Sequence, residues 1–462
     1  MHQTLRRSCS ACARAKSRCD LRKPHCSRCA ARNVLCVYAN EPLSTTPPSP
    51  RRHQLSGFGS VDPFETYPQV RLGKDHVQRL IHSFLHKIAF QYYPLDHNPH
   101  SNPFLVSWWP LALGDPVLFH VSLQTACLDE EFFGRRGFQT SEQLMADSVV
   151  LLRRKVHDVA LAMQDSTINS VITLATIEYG KGNREAAQMH VAGAKRLIDM
   201  RGGLQAVMQT SPLTARMVSW VSMLIIGAPQ FETQDEDGNG DGISPIPEWS
   251  IPRFVEPSAL SEADVEPETW NVFAHLYGIF HRANRIPLPL LRLHDLTSFV
   301  IHRLLSPSSP PEPPPSPLRS DCVRCGIILY MLLLQGPIYY THAAILRKTT
   351  ARLVAQLPAG GGASGALELW LVAVGLVASH DTPSYGTLQD RARALSALLG
   401  LSSWHEASAL VKSVLWLEAP ATEYVFQSHW DTALGHDCPL VTFGPVQIAP
   451  FVTSSPENKV DM

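Results

Sequence analysis

From about residue 75 onward, apolar positions recur with a period close to 3.6, so the larger part of the chain is predicted to be helical. Val77, Leu80, Ile81, Phe84, Leu85 and Ile88 form the first stripe, and Asp75 with Gln78 reads as a capping box before it. That stripe covers about two heptads, fewer than a coiled coil needs, so it predicts a core-facing helix rather than a dimer seam. Met145, Val149, Leu152, Val156, Val159 and Met163 predict a second apolar face. Met189, Gly193, Ala194, Leu197 and Ile198 predict a third, which Gly202-Gly203 would terminate. Helical pattern returns at about 270–305, then again from Cys322 to Leu417 with breaks at Pro358–Gly365 and Thr382-Pro383. Period-two strand patterns are missing. The expectation is a large all-α body over 75–430.

Other stretches cannot be helical. Residues 41–74 carry Pro42, Pro47, Pro48, Pro50, Pro63 and Pro68 among Ser and Thr and read as a linker. The proline run at 306–317 reads as a surface loop, and 431–462 as a C-terminal tail. Gly326–Leu346 holds no Asp, Glu, Lys or Arg, which raises the question of a membrane span. Gln335, Gly336 and Pro337 break it midway, so two buried helices with a turn are expected, and no membrane partner.

Charge divides the chain. Its net charge of −1 conceals a head, residues 1–40, with nine Lys or Arg against one acid (Asp20), a net +8. The remainder carries 31 basic and 40 acidic residues, a net −9. A compact basic head on an acidic body is the footprint of a polyanion-binding module joined to something else.

The head also holds six cysteines in two copies of C-x2-C-x6-C: Cys9, Cys12 and Cys19, then Cys26, Cys29 and Cys36. A C-x2-C pair can place both thiolates on one tetrahedral Zn²⁺ at about 2.3 Å. Two separate four-ligand shells would need eight sulfurs; six suffice if two of them bridge. A disulfide framework is the competing reading, with fifteen possible pairings. Residues 1–8 lack the apolar run of a signal peptide, so a reducing compartment and metal are favoured. Cys322 and Cys325 form a lone C-x2-C, expected to be two thiols of a buried helix. Cys127 and Cys438 are isolated.

The cysteine spacing, with Arg14, Lys16 and Arg18 between Cys12 and Cys19, resembles the fungal zinc binuclear cluster (Zn₂Cys₆) transcription factors. The resemblance implies a small module of two short helices and loops over 1–40. It also implies two Zn²⁺ in one cluster: Cys9, Cys12, Cys19 and Cys26 around one ion, and Cys26, Cys29, Cys36 and Cys9 around the other. By position it gives Lys16 the base contact, to guanine O6 and N7 of a CGG triplet in double-stranded DNA. Arg14 and Arg18 then take phosphates, and Arg6, Arg7 and Lys23 are further DNA-contact candidates. Ala13 and Ala15 depart from the fully basic family pattern and reduce the phosphate contacts expected. Arg51 and Arg52 suit either phosphate contact or ordinary solvated surface. Pro24 stands where the family has its loop proline.

A second resemblance covers the body. His190-Val-Ala-Gly-Ala-Lys-Arg-Leu-Ile-Asp-Met-Arg-Gly-Gly203 is similar to an element of the fungal-specific transcription factor regulatory domain. Trp370, and Trp404 leading through Leu410 and Val414 to Trp416, look like its C-terminal elements. Together the resemblances imply a nuclear RNA polymerase II regulator, an activator by family habit, with the transcription machinery or co-regulators as partners. Control of a fungal biosynthetic gene cluster is the pathway expectation. A repressor, or a ligand-sensing or enzymatic body tethered to DNA, is the alternative. Half-site pairing by a homodimer and monomeric binding both stay open.

Residues 230–270 hold eleven acids and one base, Arg253, with interspersed aromatics. Such mixing suits an activation segment, but an acidic surface loop of the helical domain is preferred. Asp235, Asp237, Asn239 and Gly240 match the start of an EF-hand loop, yet its twelfth position is Ile246, so calcium is not expected. No P-loop, G-x-S-x-G, H-E-x-x-H or dinucleotide fingerprint occurs, and no enzymatic activity is expected.

Overall fold

A computed structural model describes residues 9–20, 26–34, 36, 67–134, 137–235, 238–252, 255–262, 265–306, 318–336, 342–357, 365–436 and 438–441. Arg6, Arg7, Lys23, Pro24, Arg51 and Arg52 lie outside them, as do linker residues 41–66, the proline run from 307 and the tail beyond 441. The chain divides into two units, Met1–Gly59 and Ser60–Met462.

In the first unit, α1 (Ser10–Arg14) and α2 (Ser27–Ala31) are single helical turns. Isolated helices this short are not stable in water. What surrounds them is sulfur: Cys9, Cys12, Cys26, Cys29 and Cys36 are the unit's buried cluster.

The second unit is helical throughout, and among the described residues its only β feature is an isolated bridge, Thr233 to Ile243. Its longer helices are α3 (Lys74–His86), α4 (Pro116–Gly134), α5 (Gln139–Val156), α6 (Asp165–Gly180), α7 (Arg184–Met200) and α8 (Pro212–Ile226). The remainder are α9 (Pro267–Ala283), α10 (Leu290–Leu305), α11 (Leu318–Gln335), α12 (Ala343–Gln356), α13 (Gly365–Ala378), α14 (Ser384–Leu399), α15 (Trp404–Lys412) and α16 (Pro420–Ala433). One continuous core runs through them. Helices α6 and α13 are buried along nearly their whole length, which is why neither shows a clean stripe in sequence. Chain-adjacent pairs such as α4–α5, α6–α7 and α13–α14 pack against each other, and α11 packs on α10, α12 and α13.

Several helical expectations change in detail. The stripe on α3 is buried at Val77, Leu80, Ile81 and Phe84, but its N-cap is Gly73, so Asp75 and Gln78 are the second and fifth helical positions and form no capping box. The face from Met145 to Met163 is not continuous. Helix α5 ends at Val156, and Asp158 caps a separate turn, Val159–Ala162, by accepting the amides of Ala160 and Leu161. Val156 and Val159 are consequently exposed. On α7 the buried face is Ala187, Val191, Ala194, Leu197 and Ile198, while Met189 points outward. The pattern at 270–305 is two helices with Pro287 and Pro289 in the break. Helix α11 ends at Gln335 and α12 starts at Ala343, and no helix among the described residues is long and apolar enough to cross a membrane.

Gly202 and Gly203 end α7 with φ of 93° and 92°, and the Gly203 amide donates to the Ile198 carbonyl (3.1 Å). A Cβ at Gly203 would collide with the Asp241 carboxylate, which accepts the Gln205 amide (3.0 Å). The acidic stretch is thereby docked on the body. It buries Gln234, Ile243, Ile246, Trp249, Leu260 and Val265. Asp235 accepts the Asn239 amide (2.7 Å), closing the turn that looked like the start of an EF-hand.

Candidate metal centre

Cys9 and Cys26 occupy the same local position seventeen residues apart. Each is the N-cap of its helix, with φ/ψ of −63°/157° and −65°/150°. The Cys9 sulfur accepts the Cys12 amide (3.4 Å), and the Cys26 sulfur accepts the Cys29 amide (3.4 Å). Both helices end in the same turn. The Lys16 amide donates to Ala13 O (3.2 Å) and the Asn33 amide to Ala30 O (3.2 Å). Lys16 and Asn33 are both left-handed, with φ of 48° and 52°. The two halves are one structure written twice.

Superposing the halves in this way gathers six sulfurs into two overlapping groups. Cys9, Cys12, Cys19 and Cys26 place their Sγ atoms within 4.8 Å of one another, and Cys9, Cys26, Cys29 and Cys36 do the same. Cys9 and Cys26 belong to both. Their sulfurs are 3.9 Å apart, with Cys12 to Cys26 at 3.7 Å and Cys9 to Cys29 at 3.6 Å. A tetrahedron of thiolates around zinc at 2.3 Å has an edge of about 3.8 Å. A disulfide needs about 2.05 Å, and none of the six forms one. The donor set therefore fits zinc in number, spacing and softness.

The electrostatics single out the two shared sulfurs. The Cys12 amide holds the Cys9 thiol down, at about 6, and the Cys29 amide lowers Cys26 likewise. Burial pushes Cys12 up to about 12, and the hydrogen bond that the Cys29 thiol donates to the Cys26 sulfur, with burial, raises Cys29. The sulfurs common to both groups are thus the ones the backbone prepares as thiolates, the form a metal binds.

Residues 7–45 match the family described as Fungal Zn(2)-Cys(6) binuclear cluster domain, and residues 79–228 match Fungal specific transcription factor domain. Each match covers less than half of the chain, and the two stretches are similar to the two domains of fungal zinc-cluster regulators. A zinc-cluster domain binds zinc, and the matched families are those of transcription factors rather than enzymes. Among relatives, Transcriptional regulator dmxR14 of Cryptosporiopsis sp. (strain 8999) is 62% identical over 34 residues, 7% of this chain and 8% of its own. Transcription factors phomD and phomD' of Diaporthe leptostromiformis are each 43% identical over 56 residues, 11% of this chain and 12% of theirs. The chain thus covers about a tenth of those relatives. No solved structure matches it.

Around the zinc-cluster sulfurs, Arg14 stands in the last turn of α1, with Lys16 and Arg18 just beyond; all three are exposed. None makes an ion pair among the described residues. The second half turns the same way but carries Ala31, Asn33 and Leu35 where the first has Arg14, Lys16 and Arg18. One half of the repeat is basic there; the other is not.

Sequence reasoning overlooked Asp20, counted only as the head's single acid. Its carboxylate accepts the Ser27 amide (3.1 Å) and the Ser27 hydroxyl (2.5 Å), tying the end of the first half to the start of α2. The available signal was an acid directly after the third cysteine, seven residues before the start of α2. Cys322 and Cys325 are buried in α11, where burial pushes them up to about 11 and about 12. They are packed thiols, remote from such chemistry.

Proposed function

We propose that the chain is a nuclear, zinc-dependent, sequence-specific DNA-binding transcription regulator of RNA polymerase II promoters, acting as an activator. The observation that carries this reading is the pair of interlocked sulfur tetrahedra supporting an exposed Arg14, Lys16 and Arg18 at the end of α1. Cys9, Cys12, Cys19 and Cys26 would hold one Zn²⁺, and Cys9, Cys26, Cys29 and Cys36 a second. When bound, zinc supplies the folding free energy that so few apolar residues cannot.

The protein's own residues then do the reading. Cys9 and Cys26 cap the two turns, so residues that would hold the metal also set where α1 and α2 start. The left-handed backbone at Lys16 lifts its side chain off the helix end, where the ammonium can donate to guanine O6 and N7 of a CGG triplet. Arg14 and Arg18, two residues to either side, contact phosphates, each adding about 0.9 to the slope of log affinity against log salt. One triplet is too short to single out a genomic site, which favours paired half-sites read by a homodimer. Pathway-specific control of a biosynthetic gene cluster is the role we assign.

Lys16→Ala in the full chain is expected to reduce discrimination between CGG and scrambled duplexes by about 1–3 kcal/mol, measured by competition binding. Unchanged preference would remove Lys16 from the reading surface. Genome-wide occupancy of the tagged wild type beside this variant then names the regulated genes.

A further inference from the structure

Asn239 is the one asparagine of the chain that is followed by glycine; every other is followed by a residue that carries a Cβ. The difference is chemical. A backbone amide nitrogen can attack the side-chain carbonyl carbon of the asparagine before it, and glycine offers that nitrogen with no Cβ in the way. Asn239 and Gly240 are both exposed, in the turn of the acidic loop beyond the Thr233–Ile243 bridge, so water reaches the pair.

The same asparagine closes that turn. Its Nδ2 donates to Asp235 Oδ2 (3.1 Å) and its backbone amide to Asp235 Oδ1 (2.7 Å), while its carbonyl accepts the Asp235 amide (3.0 Å). One residue on, the Gly240 carbonyl accepts Gln234 Nε2 (2.9 Å). Asp241 follows, and its carboxylate accepts the Gln205 amide (3.0 Å) and lies against Gly203. The turn at Asn239 therefore sets the position of the carboxylate that fastens the loop to the body.

We propose that Asn239 is a site of spontaneous deamidation, and that the modification releases this fastening. The Gly240 nitrogen gives up its proton and forms a bond to Asn239 Cγ. The Cγ–Nδ2 bond breaks, and the side-chain nitrogen leaves as ammonia, carrying the released proton as its third hydrogen. A succinimide ring remains. Water opens that ring at one carbonyl or the other, leaving aspartate or isoaspartate. One water is consumed and one ammonia released, and nothing is oxidised or reduced.

Either product removes the Nδ2 donor. As aspartate, the new carboxylate faces that of Asp235 where a hydrogen bond had been, and the like charges repel. Isoaspartate also adds a carbon to the backbone, so the paired groups of Asp235 and Asn239 lose register. Both products push the turn open and draw Asp241 away from Gln205. Before reaction, the bonds to Asp235 restrain the Asn239 side chain, so the intact turn meters its own modification. The reaction needs neither zinc nor DNA, and its test stands apart from the DNA-reading role proposed for the head.

Full-length zinc-loaded protein, aged in neutral buffer, is followed by peptide mass spectrometry. The peptide holding Asn239 is expected to gain the mass of an amide-to-acid exchange faster than any other asparagine peptide. A protein isoaspartyl methyltransferase should label the same peptide. Isomerisation at the flanking Asp–Gly steps leaves mass unchanged and is thereby told apart. Asn239→Gln should suppress the gain, and Asp235→Ala should hasten it. Asn239→Asp, made directly, should exchange the Gln205 amide about five- to tenfold faster than wild type, with α4 and α13 unchanged. Asp241→Ala should exchange it as fast. A mass gain at Asn239 no faster than at other asparagines would overturn the site, and wild-type exchange at Gln205 in Asn239→Asp would overturn the release.

Discussion

The two units of this chain use cysteine for opposite ends. In the head, five buried cysteines make up the interior, and their sulfurs stand at spacings that fit a metal cluster. In the body, Cys127, Cys322 and Cys325 are equally buried, yet they are packed among leucines, valines and tryptophans as small apolar groups. Burial and residue type are the same in both places. What differs is whether a backbone amide is the largest influence on the sulfur, as at Cys9 and Cys26, or burial is, as at Cys325. A cysteine's role is therefore set by the half-dozen residues around it.

The largest test of that contrast is removal of zinc. A strong chelator should abolish DNA binding and strip amide protection from residues 9–36, while the hydrogen-exchange pattern of 67–436 stays unchanged. Cys26→Ala should act in the same way and lose both ions, because it removes a sulfur common to both groups. Cys325→Ala should leave zinc content intact. A body that loosens on chelation, or a Cys26→Ala protein with near-full zinc, would break the contrast.

Acid should strike both units for different reasons. In the body, burial drives His294 down to about 3 and His302, His342 and His429 down to about 4, from an ordinary 6.5. Their unfolded forms bind protons at higher pH than their folded forms do. The body's stability is therefore full above about pH 6.5 and declines from there toward about pH 4, by several kcal/mol in sum. Thermal melts across that range measure it; a flat profile would mean that these histidines are hydrated. The head should release zinc over falling pH as its thiolates take up protons, which a chromogenic zinc indicator follows separately.

Smaller effects sharpen the picture. Gly326 lies on α11 against α13, where an added Cβ would meet Leu371 Cδ2 at 2.6 Å and the Trp370 ring at 2.7 Å. Gly326→Ala is expected to lower body stability by about 1–3 kcal/mol, read from its denaturant midpoint, with zinc affinity unaffected. Asp20→Ala removes the hold on α2 and is expected to cost about 1 kcal/mol, seen as several-fold weaker zinc binding in a competition titration, with the body's midpoint unmoved.

Much of this architecture was legible in the sequence, because the helical period and the cysteine spacing are both local signals. Helix α3 and the Gly202-Gly203 stop could be read directly. Continuity could not: Val156 and Val159 extend a helical wheel on paper, but Asp158 between them captures two amides and starts a new turn. Met189 misled because its position fits a stripe that actually runs one step aside, through Ala187 and Val191. At the candidate metal centre, the seventeen-residue offset was visible, whereas the left-handed turns at Lys16 and Asn33 were not, since neither residue is glycine. The contact of Asp241 with Gly203 joins positions 38 residues apart, and no periodicity encodes it.

The twice-written head also says where its length is free to change. Within each half, the sulfurs are tied to one helical turn and the bend after it. Adding or deleting a single residue there would swing a sulfur by about 100° and empty its place in the tetrahedron. Between the halves, the described residues set two demands: that the chain return to the shared sulfurs and that Asp20 reach Ser27. Natural variants should therefore keep the intervals Cys9–Cys12 and Cys26–Cys29 fixed at two residues while the join between the halves drifts in length.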